Sequence, residues 1–514
     1  MTGSVNEGVP AGSILARTAR GAGWVVAWRI LTRVLGLGST LVLVRILSPA
    51  DFGLVALATA FAMALDVCLA IGVEDQIVRT RNPRRALYDT AFTLNLMRCI
   101  GVSTLIAAAA WPAGQFFGEP RLFEVLLALA FSALLSGGTN IGVVDFRREL
   151  SFDKEFKLQL LPRLVGITVT LVGAWLLQSH WALIIGILVN RFGIVVMSHL
   201  LHPYRPRLSL EAWRELVGIS LWSWTISLAS VMRDRADSII LGRQLGPAAL
   251  GVYSVAGEVA ALPTTEMVEP ICRACMPGFA ATLRTDDPHA VEHAYLRIIG
   301  LMALLTLPAG VGISLVSGPV VALAFGQAWL EAAPVMAILG IACSVAVAGN
   351  VSAAMLTARA ALRTILAITL GAGVVRIALL LALVPPLGLL GGAIAAGIAI
   401  MLEHVALVGC VLWILRLSPW RLMRAVLRPA LAAAVMALVL WGTGFGWTAP
   451  PASAAAATGM LIAAVPLGVV TYAVALLLFW VIAGRPPAAE SDMLAMLRRV
   501  LAAGTRRLGT RVEA

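Results

Sequence analysis

Apolar segments of about twenty residues recur along almost the whole chain, and they constrain the fold more than any other feature of the sequence. They begin near Ala22 and end near Ala483, and short polar connections separate them. A helix of about 20 apolar residues crosses the hydrocarbon core of a bilayer. The composition agrees with this pattern, because 60% of the 514 residues are hydrophobic and only 13% are charged. Soluble domains average about 25% charged residues. We therefore predict an all-α, polytopic membrane protein.

The apolar segments predict fourteen transmembrane helices. They lie near residues 22–44, 52–73, 88–111, 122–145, 158–178, 181–201, 215–241, 249–271, 293–316, 332–356, 362–384, 388–414, 426–445 and 458–483. Arginine is concentrated in the even-numbered connections, as at Arg84, Arg85, Arg147 and Arg148. Because cytoplasmic loops of membrane proteins collect positive charge, this alternation predicts that both chain ends are cytoplasmic. The net charge of +12 has the same explanation, and nucleic-acid binding is not needed to account for it.

A repeated hairpin divides the chain into two similar parts. The stretch RILSPADFG at 45–53 matches RQLGPAALG at 243–251, and FFGEP at 116–120 matches AFGQAW at 324–329. Two six-helix copies that start on the same side of the membrane are typical of transporters, with the substrate between the halves. The predicted divisions are an N-terminal segment 1–21, an N-lobe 22–205, a C-lobe 206–418, two further helices in 419–484 and a basic tail 485–514. The tail is interpreted either as an amphipathic helix on the anionic leaflet or as a solubilising extension.

Ionisable side chains inside the apolar segments are the main clue to function. The seventh span alone carries Arg233, Asp234, Arg235 and Asp237. A charge at this depth costs several kcal/mol unless it is paired or faces a wet cavity. For any single residue, a closed ion pair that joins helices remains an open alternative to a cavity. The predicted substrate-binding residues are Arg29, Arg33, Arg98, Arg233, Arg235 and Arg376. The candidates for ion coupling, or for holding these arginines, are Asp66, Asp237 and Glu258.

The preference for arginine suggests the chemistry of the substrate. A guanidinium stays charged when buried, and its planar fork binds phosphate oxygens in a bidentate manner. A cavity with several arginines therefore predicts an anionic, phosphorylated substrate. Glu403 and His404, which are adjacent within the twelfth span, are interpreted either as a proton relay or as a satisfied buried pair.

Several functional classes are excluded by the absence of their motifs. The only lysines are Lys154 and Lys157, and neither follows the glycine that a phosphate-binding Walker A loop requires. Cys272 and Cys275 have no second pair or nearby histidine, so no metal site is predicted. No Ser-His-Asp or metal-dependent hydrolase pattern is found. We predict a transporter rather than an enzyme, without a cofactor or metal, and coupling to H⁺ or Na⁺ stays open.

Three motifs carry a resemblance to a known family. The stretches RILSPADFGLVALA (45–58), RADSIILGRQLGPAALGVY (235–253) and FGQAW (325–329) resemble the polysaccharide transporter family. These are the Wzx-type flippases of the multidrug/oligosaccharidyl-lipid/polysaccharide (MOP, MATE-like) superfamily. The resemblance covers roughly residues 15–480 in layout and is specific at the two hairpins.

The resemblance implies two six-helix, MATE-like lobes that work by alternating access. The implied substrate is an undecaprenyl-pyrophosphate-linked oligosaccharide, moved from the cytoplasmic to the periplasmic leaflet of a bacterial inner membrane. Such flippases serve exopolysaccharide, capsule or O-antigen (lipopolysaccharide) biosynthesis, and a polysaccharide polymerase and assembly proteins are the implied partners.

Two alternatives within the superfamily remain. A MATE-type, cation-coupled drug antiporter would have a cavity dominated by carboxylates, whereas arginines are at least as numerous here. A lipid II flippase would share the basic cavity, and only the hairpin motifs favour polysaccharide over it. A membrane-embedded glycosyltransferase would need an acidic catalytic motif or a large periplasmic loop, and neither is found in the sequence.

Overall fold

The computed structural model describes residues 31–69, 73–80, 83–149, 151–216, 221–262, 271–272, 278–279, 282–284, 288–486, 489–491 and 493. Within these ranges the chain forms α-helices and short 3-10 turns, with no strand, which confirms the all-α class. Arg29, Cys275, the N-terminal segment 1–21 and residues 494–514 of the predicted tail lie outside the described residues.

The first part of the chain, up to the second hairpin, contains eleven described helices. They are α1 (31–46), α2 (Pro49–Cys68), α3 (Val73–Arg79), α4 (Arg85–Phe117), α5 (Arg121–Gly137), α6 (Val144–Arg148), α7 (Phe152–Leu177), α8 (Trp181–Leu201), α9 (Trp213–Leu216), α10 (Leu221–Gln244) and α11 (Gly246–Ala260). A 3-10 turn, Ile141–Val143, precedes α6.

The rest of the chain continues with longer spans. They are α12 (Pro288–Leu315), α13 (Ser317–Ala324), α14 (Ala332–Val345), α15 (Val347–Ala358), α16 (Leu362–Ile414), α17 (Pro419–Gly442) and α18 (Ala454–Ile482), with a 3-10 turn, Gln327–Trp329, before α14.

The two matching hairpins make the same turn with different chemistry. In the first, the Ser48 hydroxyl accepts a hydrogen bond from the Asp51 N–H, and the Asp51 carboxylate accepts one from the Ser48 N–H. This reciprocal capping box starts α2, with Pro49 in its first turn. In the second hairpin Gly246 takes the place of the serine and adopts φ 82°, a conformation that suits glycine, and Pro247 follows it. The shared proline therefore lies at the start of a helix in both hairpins, after a serine cap in the first and after a glycine of positive φ in the second.

The 53-residue helix α16 is interrupted at Gly388, which has φ 57° and ψ −134°. An unbroken helix of this length would extend about 80 Å, whereas the hydrocarbon core is about 30 Å thick. A Cβ atom on Gly391 would collide with the Leu383 carbonyl oxygen, so the two segments approach each other closely after the break. The segments on either side of Gly388 correspond to the predicted spans 362–384 and 388–414.

Eight described helices are long and apolar enough to cross a membrane, or up to ten if each of two bent pairs counts as one span. The bent pairs are Arg121–Gly137 with Ile141–Arg148, at 70°, and Ala332–Val345 with Val347–Ala358, at 42°. α10 is not among them, because its charged residues interrupt the apolar sequence. The chain is a multi-pass membrane protein, and the count of fourteen spans stays a prediction.

The chain forms two compact units, residues 1–224 with 246–250 and residues 225–245 with 251–514. In the first unit α4 packs against α5, and α8 packs against both α5 and α7. In the second, α12 packs against α14 and α17, and the last helix α18 packs against α17. Leu304, Ala432, Met436 and Tyr472 form part of the buried core where α12, α17 and α18 meet. The predicted lobe boundaries stay predictions.

Candidate functional site

The first unit contains a charged cavity of about 330 Å³ among α2, α4, α5 and α8. Asp66 from α2, Arg98 from α4 and Arg191 from α8 contribute its charges. Arg98 Nη1 donates to Asp66 Oδ1 at 2.6 Å, and the Asp66 side chain remains 52% exposed. The cavity therefore holds two positive groups and one negative group.

Arg191 supplies the excess positive charge of this cavity. It is the central residue of α8 (Trp181–Leu201), an apolar helix long enough to span the membrane. Its guanidinium forms no hydrogen bond or ion pair with any residue that the structure describes. Arg191 is not among the predicted substrate-binding residues, although its position in the middle of an apolar segment marks it as an intramembrane arginine in the sequence.

Two of the three hydroxyl groups that line the same cavity, those of Thr59 and Ser136, donate to carbonyl oxygens of their own helices. Thr59 Oγ1 donates to the Val55 carbonyl at 2.8 Å, and Ser136 Oγ donates to the Ser132 carbonyl at 3.0 Å. Because these two donors are engaged, the guanidinium groups of Arg98 and Arg191 are the charged groups that the cavity offers to an anion.

A second charged cluster, in the other unit, is a closed ion pair. Arg376 Nε donates to Asp237 Oδ1 at 2.7 Å and Arg376 Nη2 donates to Oδ2 at 2.5 Å. The Tyr253 hydroxyl donates to Asp237 Oδ2 at 2.6 Å. The two charged side chains are only 12% and 6% exposed. A bidentate pair with a third donor satisfies the buried carboxylate, which corresponds to the ion-pair alternative for these residues.

Arg233, one helical turn before Asp237, is also paired. Its Nε donates to Asp234 Oδ1 at 2.8 Å, and its Nη1 contacts Glu403 Oε1. His404, beside Glu403, instead bonds through Nδ1 to the carbonyl of Ile400 in its own helix, at 2.7 Å. Glu403 and His404 thus face different partners.

Every arginine that these contacts place in the second cluster is paired with a carboxylate. Arg233 pairs with Asp234 and Glu403, and Arg376 pairs with Asp237. The cavity of the first unit, with Arg98, Arg191 and Asp66, keeps one uncompensated positive charge. These arginines therefore fall into a paired cluster and a cationic cavity.

The remaining predicted site residues lie elsewhere on the described helices. Arg33 is half-buried on α1, Arg235 is half-buried on α10, and Glu258 is half-buried near the end of α11. Their roles stay predictions.

Comparisons with known proteins point to one family and one fold. A family model described as "Polysaccharide biosynthesis protein" matches residues 42–334. The lipopolysaccharide biosynthesis protein WzxC of Escherichia coli K12 is 25% identical over 358 residues, which cover 68% of this chain and 71% of WzxC. The succinoglycan biosynthesis transport protein ExoT of Rhizobium meliloti is 23% identical over 63% of this chain and 65% of its own length.

Two solved structures share the fold at low sequence identity. The lipid II flippase MurJ in an inward closed conformation superimposes with a TM-score of 0.67 at 14% identity, over 89% of this chain and 99% of MurJ. An inward-facing MATE-family multidrug transporter of the MOP superfamily gives 0.60 at 17% identity, over 77% of this chain and 94% of the transporter. The predicted MATE-like fold is confirmed.

Proposed function

Because this chain belongs to the polysaccharide biosynthesis protein family, we propose that it is a flippase for a lipid-linked oligosaccharide. It carries an undecaprenyl-pyrophosphate-linked repeat unit from the cytoplasmic to the periplasmic leaflet of the bacterial inner membrane by alternating access. WzxC and ExoT, named for lipopolysaccharide and succinoglycan biosynthesis, support this assignment. The observation that carries the proposal is the cationic cavity formed by Asp66, Arg98 and Arg191.

The charge and size of this cavity suit the pyrophosphate. Arg98 and Arg191 bind phosphate oxygens through charge-assisted hydrogen bonds, and Asp66 orients the Arg98 guanidinium. A volume of about 330 Å³ is near the lower end of the range for ligand pockets, about 300–1,000 Å³. The cavity thus accommodates phosphate groups rather than a whole oligosaccharide, and the sugars occupy other surfaces of the transport path.

The paired cluster of Arg233 and Arg376 has a different role in this proposal. Arg233 and Arg376 are matched by Glu403 and Asp237, so binding an anion there would require breaking a buried ion pair. These residues therefore hold helices together. Arg29, Arg33 and Arg235 remain predicted contributors to the substrate path.

The orientation of the chain in the membrane, the coupling ion and a partner protein are also part of this proposal. Both chain ends are cytoplasmic, following the arginine-rich even connections. H⁺ or Na⁺ drives the cycle through a carboxylate, for which the half-exposed Asp66 is the best-placed candidate, since neutralising it would release Arg98. A polysaccharide polymerase receives the product.

The test is complementation of a deletion strain with the variants Arg98→Gln and Arg191→Gln. Each removes one charge-assisted phosphate contact, which is worth about tenfold in affinity. We expect reduced surface polysaccharide and accumulation of the lipid-linked repeat unit on the cytoplasmic side. Arg121→Gln is the matched control, because Arg121, the first residue of α5, pairs with Glu119 at 2.7 Å and does not line the cavity.

Three results would contradict the proposal. A wild-type amount of surface polysaccharide in the Arg191→Gln strain, at equal protein level, would show that the cavity does not take part in transport. Normal polysaccharide in the deletion strain with altered sensitivity to cationic drugs would indicate the antiporter. Normal polysaccharide with a disturbed distribution of peptidoglycan precursor would indicate a lipid II flippase.

A further inference from the structure

A further arginine of the first unit, Arg163, lies inside the membrane-spanning part of α7. This helix is apolar from Leu160 onwards, and Arg163 is the only charged residue in that part. Arg163 is exposed and forms no hydrogen bond or ion pair within the described ranges of the chain. It does not line the cavity of Arg98 and Arg191. Arg163 is therefore an unpaired charge that the transport cavity does not use.

The guanidinium of Arg163 lies deep in the membrane, against α1. A Cβ atom on Gly36 would lie 2.9 Å from Arg163 Nη2, so the glycine leaves the space that the guanidinium occupies. Gly36 precedes the end of α1 at residue 46 by ten residues, which is about 15 Å of helix. The hydrocarbon core is about 30 Å thick. The guanidinium is therefore near the middle of the bilayer, where it cannot extend to a membrane surface as arginines near helix ends do.

The packing of α7 against α8 directs Arg163 away from α8. A Cβ atom on Gly193 would lie 2.9 Å from Pro162 Cβ, and one on Gly166 would lie 2.9 Å from Asn190 Cβ. Pro162 and Gly166 are one turn apart, so α8 covers this face of α7. Arg163 follows Pro162 and is turned by about 100° around the helix axis, since a helix has about 3.6 residues per turn. It therefore points towards α1, where the contact with Gly36 is found.

No acidic residue on the neighbouring helices balances this charge. The sequence has no Asp or Glu within residues 8–50 or 156–210, so α1, the apolar part of α7, and α8 contain no carboxylate side chain. The contact of Gly166 with Asn190 places Arg163 at about the level of Arg191, which is also unpaired among the described residues. A charge at this depth is costly unless it is paired or faces a wet cavity. An anion from outside the chain is therefore the group that can compensate Arg163.

We propose that Arg163 binds a phosphate oxygen of the lipid-linked substrate, at a position on the α1 face of α7 that is separate from the cavity of Arg98 and Arg191. The proposal rests on the flippase function proposed above. A guanidinium and a phosphate form charge-assisted hydrogen bonds, often in a bidentate manner. A phosphorylated lipid in transit brings such a group to the middle of the bilayer, whereas the headgroup of a resident phospholipid stays at the membrane surface. Two positions on different faces of the α7–α8 pair give the pyrophosphate two places to bind during the transport cycle.

The experiment uses a cysteine reporter beside Arg163 in the full-length protein. Ile167 lies one helical turn after Arg163 on the same face of α7, so Ile167→Cys reports on this position. Its rate of reaction with a water-soluble, cationic methanethiosulfonate is measured in detergent at increasing concentrations of undecaprenyl pyrophosphate. Wild type, with its six native cysteines, gives the background. We expect undecaprenyl pyrophosphate to slow the reaction, and the half-protecting concentration to rise about tenfold when Arg163→Gln is added.

Lys157→Gln is the matched control for the loss of charge. Lys157 is an exposed residue of the same helix, before its apolar part, and this variant should leave the half-protecting concentration unchanged. Arg163→Gln removes no hydrogen bond or ion pair of the described structure, so we expect the reporter protein to fold as wild type does. Arg163→Lys keeps the charge without the planar fork and should restore part of the protection.

Two further lipids identify the source of the phosphate. Undecaprenol has the isoprenoid chain without a phosphate, and phosphatidylglycerol has a phosphate without this chain. Protection by undecaprenol equal to that by undecaprenyl pyrophosphate would show that the chain, and not the phosphate, occupies the position. Protection by phosphatidylglycerol with the same dependence on Arg163 would assign the phosphate to a phospholipid. Either result would overturn the proposal.

Two results with the reporter alone would also overturn it. One is an Ile167→Cys protein that does not react with the water-soluble reagent, and the other is equal protection in the Arg163→Gln and Lys157→Gln proteins. Both would leave the flippase proposal standing, since transport is tested by the surface polysaccharide of the Arg98→Gln and Arg191→Gln strains. Normal polysaccharide in those strains would contradict the role of the cavity and leave the protection measured at residue 167 unchanged.

Discussion

At the scale of single residues, His202 is a half-buried side chain whose protonation destabilises the folded protein. It follows α8, outside the membrane span, and burial lowers its pKa more than the neighbouring Asp145 raises it. Its Nδ1 accepts a hydrogen bond from the Tyr204 N–H at 3.2 Å, and its Nε2 lies 3.5 Å from Asp145 Oδ2. The Nδ1 atom can accept only while it carries no proton. The folded protein therefore favours neutral His202.

This preference predicts loss of stability on acidification. Because the folded-state pKa lies below the unfolded value of about 6.5, the unfolded chain binds the additional proton first. Stability contributed by neutral His202 is present above about pH 6.5 and falls as the pH is lowered through the folded-state pKa. We expect the stability of the wild-type protein, measured by thermal unfolding in detergent, to fall on acidification. In His202→Gln this fall should be smaller by about 1 kcal/mol.

The control for this measurement is His289→Gln, whose side chain is 90% exposed. It should keep the wild-type pH profile. An unchanged profile in His202→Gln would show that the acid response arises elsewhere.

At the scale of elements, α10 is fixed to both segments of α16 by two ion pairs one helical turn apart. Asp237 pairs with Arg376 before the break at Gly388, and Arg233 pairs with Glu403 after it. Removing one member of a buried pair leaves an unpaired charge and costs about 3–5 kcal/mol. We expect Asp237→Asn and Arg376→Gln each to destabilise the protein strongly in thermal unfolding.

An apolar double variant separates this structural role from substrate binding. The double variant Asp237→Leu/Arg376→Met should recover most of the lost stability, because an apolar pair of similar volume avoids the desolvation of two charges. Tyr253→Phe removes only one hydrogen bond to Asp237 and should cost about 1 kcal/mol. Single variants as stable as wild type would contradict the ion-pair role.

At the scale of the whole molecule, the predicted topology places alternate connections on opposite sides of the membrane. Ala452, in the exposed connection between α17 and α18, is predicted to face the periplasm, and Arg359, after α15, the cytoplasm. We expect Ala452→Cys to react with a membrane-impermeant maleimide in intact spheroplasts and Arg359→Cys only after lysis. Wild type, with its six native cysteines, gives the background. Reaction of both variants in intact spheroplasts would invalidate the orientation.

Much of the architecture was readable from sequence. The predicted spans near 88–111, 181–201 and 458–483 correspond to α4, α8 and α18, because a run of apolar residues has the same meaning wherever it lies in the chain. The boundary predicted between the spans 362–384 and 388–414 likewise corresponds to the break in α16 at Gly388. The seventh predicted span corresponds to α10, and the four charged residues at its centre lower its hydropathy.

The candidate site was predicted only in part. Arg98 and Asp66 were recognised as intramembrane charges, and the structure brings them to 2.6 Å. The sequence around Arg191 does not show that this residue lies in the same cavity without a partner among the described residues. The sequence around Arg376 does not show that it forms an ion pair with Asp237.

The sequence by itself determined that this chain is an all-helical membrane protein with arginines inside its spans, and the hairpin motifs indicated its family. Only the tertiary structure decided which arginines are paired with carboxylates and which are not. Hydropathy is a sum over neighbouring residues, so it can be evaluated without knowledge of the fold. Ion pairing joins residues far apart in the chain, as Arg376 and Asp237 are separated by 139 positions and Arg233 and Glu403 by 170. The cationic character of a cavity therefore follows from helix packing.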